Sequence, residues 1–297
     1  MTWHMSSPFD ENPNASILPG LARVEADPAL MERLRDAMSE PGFEPGTLPR
    51  VAVRMMTISR KSNAGIEDMQ RLIEDDPRLV ARVMRVASSV LYAAGRAKSL
   101  RTALVRLGMR SIRNLVVEAT VNMVMMRPGR FASDMELLWR HCRVTAHLAR
   151  LVGRYVPDID WEEAFLCGLL HDVGLVANLA WIATFEPKTA EEVAFATARV
   201  LHEEAGGVVA KRWELPEQLE IVLSHHHRLI YEGEPHLLSA VVAVANDIAQ
   251  EVSPIPDTLD HMDDHDPERA IEILGLSPEA LGIVREQSEE VLTLLDG

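Results

Sequence analysis

Several protein classes are excluded by what this chain lacks. Its 297 residues include only two cysteines, Cys142 and Cys167, without CxxC spacing. That rules out a disulfide framework and makes a reducing cytoplasm the expected compartment. No uninterrupted apolar run approaches the roughly 20 residues of a membrane span. The opening Met1-Thr2-Trp3-His4 lacks the basic head and apolar core of a signal peptide, so no membrane association is expected. The Ser-His-Asp set, the P-loop and the dinucleotide-binding glycine pattern are missing. No stretch shows the strand alternation or the Asn-Gly turn of a β-hairpin. Acidic residues are absent from Pro77 to Val117, although the chain has a net charge of -15 at pH 7. That overall charge disfavours nucleic acid as a partner.

What remains is a chain of helical period. Hydrophobic residues make up 47% of it, an ordinary globular share, and the length suits one large domain or two modest ones. Asp27-Pro28, Asp76-Pro77, Asp266-Pro267 and Ser277-Pro278 each pair a side-chain cap with a proline at the first helical position. Val51, Met55 and Ile58, then Met69, Leu72 and Ile73, fall at i, i+3, i+4 spacing. Ser99 caps a helix that stops at Gly108, and Met109 to Met126 continues to the break at Arg127-Pro128-Gly129. Met135 to Val156, Trp161 to His171, Val176 to Ile182, Thr189 to Gly206, Gly207 to Trp213, Pro216 to His227 and Leu237 to Val252 read as further helices. The fold class is all-α.

The expected organisation has three parts. Residues 1–46 form an N-terminal tail with a short helix, disordered up to about Pro19. Residues 47–252 form the main unit, in two helical lobes at 47–126 and 127–252. Residues 253–297 are an acidic linker, Ser253 to Asp266, followed by two short helices.

The chemistry concentrates in one run, Phe165-Leu166-Cys167-Gly168-Leu169-Leu170-His171-Asp172-Val173-Gly174-Leu175. It reads as a buried helix with a His-Asp pair near its end, and burying that pair is costly unless partners or a metal satisfy it. Neighbouring helical residues point about 100° apart, so further ligands must come from other helices. His141, His202, His225, His226 and His227 each lie in or beside a predicted helix. A single helical histidine is ordinarily a half-buried ring bonded to a carbonyl. Several on separate helices, with one carboxylate, suggest a metal centre inside a bundle. Imidazole with one carboxylate suits Fe, Mn, Zn or Ni better than Ca or Mg.

Trp139-Arg140-His141 and Leu169-Leu170-His171-Asp172-Val173-Gly174 are similar to the signature of the HD superfamily of metal-dependent phosphohydrolases. His202-Glu203-Glu204-Ala205-Gly206, Trp213-Glu214-Leu215-Pro216 and His226-His227 narrow the likeness. With Glu74-Asp75-Asp76-Pro77-Arg78-Leu79 and the run from Ser99 to Gly108, the chain resembles the HDOD domain. That bacterial signalling module is related to HD hydrolases and HD-GYP phosphodiesterases, and the likeness covers roughly Thr47 to Val252. It implies metal ligands at His141, His171, Asp172, His202, His226 and His227, with a divalent Fe, Mn, Zn or Ni ion as the possible cofactor. His225, just before the His pair, is read as a bystander.

Three departures from the active enzymes weigh against catalysis. Leu175 stands where a phosphate-holding lysine usually follows the glycine. Asn246 matches the last ligand, usually an aspartate, and an amide is the poorer donor. After His227 comes Arg228-Leu229-Ile230-Tyr231, not the Gly-Tyr-Pro segment. The expected function is a non-catalytic signalling or regulatory module that keeps a metal pocket. A metal-dependent phosphohydrolase acting on a nucleotide or cyclic dinucleotide is the alternative, and a nucleic-acid-binding regulator is a third reading.

The third reading draws on the acid-free segment. It carries Arg78, Arg82, Arg85, Arg96, Lys98, Arg101, Arg106, Arg110 and Arg113. Arg78, Arg82 and Arg85 share one helical face, as do Arg106, Arg110 and Arg113. They are either solvated arginines paired to acidic residues elsewhere in the fold or a docking face for an acidic signalling protein, a nucleotide or nucleic acid.

Overall fold

The computed structural model describes residues 24–43, 50–59, 65–88, 96–125, 129–256 and 266–296. The tail expected to be disordered, and residues 257–265 of the expected linker, lie outside the described residues. Among the described residues the protein is all-α apart from one minute hairpin.

The aspartate-proline and serine-proline pairs start helices as their chemistry dictates. Asp27 accepts hydrogen bonds from the Ala29 and Leu30 amides to open α1 (Pro28–Ser39). After α2 (Arg50–Ser59) and α3 (Ile66–Glu74), Asp76 accepts from the Arg78 amide to open α4 (Pro77–Ala87). Next, α5 (Leu100–Met125) runs on through a kink at Gly108, whose φ of 77° is a conformation that favours glycine. The long α6 (Ala132–Gly153) leads to α7 (Trp161–Leu170) and α8 (Val173–Phe185). Then come α9 (Glu191–Val200), α10 (His202–Arg212), α11 (Glu217–His225) and α12 (Leu237–Val252). Asp266 caps α13 (Pro267–Leu274), and Ser277 Oγ accepts from the Ala280 amide at the start of α14 (Pro278–Asp296).

Two expectations are corrected. The helix read from Thr189 to Gly206 is two, separated at Leu201, so that His202 opens a new helix. A β-hairpin also exists: β1 (Ile230–Tyr231) pairs antiparallel with β2 (Glu234–Pro235). Its turn residues, Glu232 and Gly233, both have positive φ (51° and 88°). That is the backbone a two-residue hairpin needs, reached here without the Asn-Gly signal.

Among the described residues, buried apolar side chains form two clusters. The smaller, from α2 to α5, includes Met55, Met69, Ile73, Leu79, Val83, Leu104 and Ile112. The larger is centred on α6, α7, α8, α10 and α12. Leu30 and Leu34 of α1, and Leu274, Val284 and Val291 of the last two helices, join it although they lie outside the expected main unit. Helix α5 serves both clusters, with Leu115 and Val116 in the small one and Val117 and Val121 in the large one. By composition alone, Trp161–Phe185 is long and apolar enough to cross a membrane, yet 89% of its most apolar window is buried in the fold. Its length is the core pair α7–α8, interrupted by the His171-Asp172 joint.

Candidate metal centre

The pocket is assembled by close backbone packing. A Cβ placed on Gly168 would lie 2.9 Å from the Thr145 carbonyl oxygen, so α7 meets α6 without side chains between them. A Cβ on Gly174 would lie 1.9 Å from the His202 carbonyl oxygen, and α8 meets α10 in the same way. These contacts bring His141 on α6, the His171-Asp172 joint and His202 at the start of α10 toward one point. His226 caps α11, and His227 follows it.

The His-Asp pair does not lie within one helix, as the sequence suggested. Helix α7 ends at Leu170, and Asp172 has left helical geometry (φ -97°, ψ 14°) to become the residue before α8. Breaking the helix there removes the fixed 100° divergence of consecutive side chains. The Asp172 carboxylate turns toward its neighbour, with Oδ2 at 3.1 Å from His171 Nε2 and Oδ1 at 3.7 Å from His226 Nε2.

Two groups result, His141/His171/Asp172 and His202/His226/His227, and within each the candidate ligand atoms lie within 4.8 Å of one another. Asp172 touches both. His141, His171, Asp172, His202 and His226 are buried, and His227 is half-buried. His225 stays outside, its Nδ1 beside Ser224 Oγ and its ring packed on Tyr231.

Backbone carbonyls set the tautomers at Nδ1 of three of these rings. Nδ1 of His171 lies 2.9 Å from the Gly168 carbonyl, Nδ1 of His202 lies 2.5 Å from that of Arg199, and Nδ1 of His226 lies 3.2 Å from that of Val222. A carbonyl only accepts, so each Nδ1 carries a proton and each ring turns its Nε2 inward; at His171 that Nε2 faces the Asp172 carboxylate and can donate to it. Such a carbonyl lock is the usual outer-shell support of a metal-ligating histidine. The inward nitrogens then confront one another. His202 Nε2 stands 3.3 Å from His226 Nε2 and 2.9 Å from His227 Nε2. His227 can donate an Nε2–H to His202, whereas two Nε2 atoms that both lack a proton, as at the 3.3 Å His202–His226 contact, repel until a shared proton or a cation relieves them. The donor set therefore fits a divalent ion.

Burial disfavours the charged form of His171, but the adjacent Asp172 carboxylate outweighs it and raises the pKa above the ordinary histidine value. His226 shifts the other way, well below that value, because of burial and then the rings of His227, His202 and His171.

Asn246, on α12, belongs to the pocket. Its Oδ1 lies 2.7 Å from His141 Nε2, and Thr145 Oγ1 approaches the same nitrogen at 3.5 Å. With the amide oxygen accepting, Nε2 of His141 is the donor. Leu175 is fully buried in the large core.

The arginines of the acid-free segment are placed differently from one another. Arg82 pairs with the buried Glu118, and Arg110 Nη1 lies 2.7 Å from Asp160. Arg113 donates to Asn114 Oδ1 and to the Glu162 carbonyl, while Arg106 donates to the Ala87 carbonyl at 2.7 Å. Arg78 and Arg85 are exposed on α4, Arg78 with Asp76 at 3.6 Å.

Sequence reasoning passed over two buried carboxylates at the junction of the two cores. Glu162 accepts from Ser111, Asn114 and Arg150, at 2.7–2.9 Å. Glu118 takes Arg82 and Arg143, and the buried His147 stands near enough to feel its charge. Glutamate in a helix signals solvent exposure unless its partners are known, and those partners are remote in sequence.

A family model for the HDOD domain matches residues 46–229. The fold resembles a Shewanella amazonensis SB2B protein whose name proposes a metal-dependent phosphohydrolase, with 21% identity and a TM-score of 0.71, covering 89% of this chain and 96% of that one. It also resembles an HDOD domain protein of unknown function from Geobacter sulfurreducens, with 23% identity and a TM-score of 0.65, covering 90% and 95%. A Marinobacter aquaeolei VT8 protein whose name proposes signal transduction matches at 22% identity and a TM-score of 0.61, covering 90% and 62%. An uncharacterized protein of Treponema pallidum (strain Nichols) is 24% identical over 215 residues, 67% of this chain. The matched region spans 41% of that relative's length.

Proposed function

The chain belongs to the HDOD family, and from that premise we propose that it is a regulatory signalling module whose His/Asp pocket binds a divalent metal without supporting ordinary hydrolytic turnover. The observation that carries this reading is the hydrogen bond between Asn246 and His141. Where the HD resemblance calls for a carboxylate ligand, a neutral amide instead occupies the nitrogen that His141 would offer. The His141 half of the pocket is thereby weakened as a metal site. The His202/His226/His227 half, with Asp172 beside it, keeps its imidazoles aimed inward.

A divalent ion in such a site would make bound water more acidic and polarise a phosphoryl oxygen. Hydrolysis also needs a cation placed for the phosphate. Leu175 has no charge to offer, and its burial leaves no room for a lysine amine without desolvating it. Fe, Mn, Zn and Ni all suit this donor set.

The convergence of six candidate ligands also supports a second reading, a metal-dependent phosphohydrolase acting on a nucleotide or cyclic dinucleotide. One pair of measurements separates the two. Untagged protein purified without chelator should hold a stoichiometric transition metal that is lost in a His202→Ala, His226→Ala variant. Cyclic dinucleotide turnover should be absent or far below about 1 per second. Turnover at that rate or above, abolished by His171→Ala, would establish the enzyme reading. Asn246→Asp should slow the loss of the bound metal to a chelator.

A further inference from the structure

We propose that the arginine face of α4 docks an acidic segment of a protein partner, and that Arg82 relays the docking to the helix bearing His141. This goes beyond the metal-pocket reading, and its docking half is independent of that reading. Charge segregation is the first ground. From Pro77 to Val117 the chain has nine cationic side chains and no acidic one, within a molecule of net charge -15. On α4 the residues Leu79, Val83 and Val86 face the small core, which turns Arg78 and Arg85 outward. The Arg78 side chain is 84% exposed and that of Arg82, between them, 31%.

Arg82 belongs to both worlds. It shares the surface stripe, yet its guanidinium reaches inward to Glu118 on α5. The same carboxylate oxygen, Oε1, accepts from Arg143 Nε at 2.8 Å. Arg143 lies on α6, two residues beyond His141. One buried oxygen thus ties an arginine of the small lobe to an arginine of the pocket helix. Among the described residues, none donates to Glu118 Oε2. If an acidic partner withdraws Arg82, both oxygens open to Arg143, and a planar guanidinium prefers such two-point pairing. Arg143 then turns to pair with both oxygens, and in this proposal the shift is felt two residues away at His141 on the same helix.

The chemistry of the face selects the partner. Arginine recognises carboxylates through its planar fork. A short acidic segment feels the local patch, because charges beyond about 10 Å are screened at moderate salt. A long polyanion also meets the negative remainder of the molecule, which favours protein over nucleic acid.

The test uses the full chain and a fluorescein-labelled oligoglutamate, followed by anisotropy over a salt series. Binding is expected, weakened at least ~10-fold by Arg78→Glu with Arg85→Glu and weakened also by rising salt. No binding at low salt, or binding that survives the double reversal, overturns the docking face. Tighter binding of single-stranded DNA of equal charge overturns the choice of partner. The relay is read by NMR of ring-labelled histidine, with the His141 signal identified by its loss in His141→Gln. Oligoglutamate should shift that signal in the wild type and not in Arg82→Gln; Arg82→Lys, which keeps the charge without the fork, gives the same readout if the first variant folds poorly. Binding that leaves the His141 signal unmoved overturns the relay. This readout needs no metal, so its failure is distinguishable from failure of the metal-pocket reading.

Discussion

The pocket and the lobe junction are both buried polar clusters on α6, and they solve burial in opposite ways. At the junction each carboxylate is matched by cations and donors. Glu162 holds Arg150, Asn114 and Ser111, and Glu118 holds Arg82 and Arg143. Opposite charges there face one another, so the junction is balanced in charge, although one oxygen of Glu118, Oε2, has no donor among the described residues. In the pocket, imidazole nitrogens face each other at 2.9–3.3 Å beside a single carboxylate. That half-finished arrangement leaves coordination for a ligand. The difference teaches how two buried polar clusters can diverge: the first sets opposite charges against each other, and the second points like groups at a common centre, the arrangement a bound cation would relieve.

The largest expected effect breaks the junction. Glu162→Ala strands the buried Arg150 guanidinium, and removing one partner of a buried pair typically costs about 3–5 kcal/mol. Denaturant unfolding should show that loss, and the bound metal per folded molecule should not change. A loss under about 1 kcal/mol would mean that the junction behaves as a surface pair, and the contrast with the pocket would fall.

A pH series sharpens the contrast at His147. Burial, and then Arg150, lower its pKa to about 3 from an ordinary 6.5. Between those values the unfolded chain binds a proton that the folded chain refuses, so stability falls as pH drops below 6.5; above 6.5 both states are neutral and the group contributes nothing. The penalty by about pH 4.5 is on the order of 2–3 kcal/mol. His147→Gln should remove the His147 share of the acid sensitivity in that window and leave the share of His226, whose pKa is also lowered. Glu118 acts at lower pH. Burial opposes its charge, but Arg82, His147 and Arg143 hold its pKa at about 2 against an ordinary 4.5. Its stabilisation is present above 4.5 and is lost as pH falls toward 2. An unchanged pH profile in the His147 variant would count against a neutral buried ring.

The smallest effect concerns the packing beneath the pocket. Gly168→Ala gains helix propensity but sets a methyl 2.9 Å from the Thr145 carbonyl oxygen. Overpacking of this kind costs about 1–3 kcal/mol. Because α7 ends at the His171-Asp172 joint, metal affinity should weaken together with thermal stability. Stability lost with metal affinity intact would separate the α6–α7 contact from the pocket.

The sequence by itself determined the helical class, the capped helix starts at Asp27, Asp76, Asp266 and Ser277, and the identity of the pocket residues from His141 to His227. These depend on local patterning: apolar period, side-chain caps and motif spacing act over a few residues. Only the tertiary structure decided that His171 and Asp172 form a joint between helices, that His202 opens a helix, that Glu232-Gly233 turns a hairpin, and that Asn246 closes on His141. It alone decided the fate of the charged residues. Arg82, Arg143 and Glu118 look like solvated side chains in the sequence, and their pairing spans 36 positions on one side and 25 on the other. Whether a charge faces water or a partner is settled by which helices meet. That meeting is governed by burial of the apolar faces and by backbone contacts at Gly168 and Gly174, which no local pattern encodes.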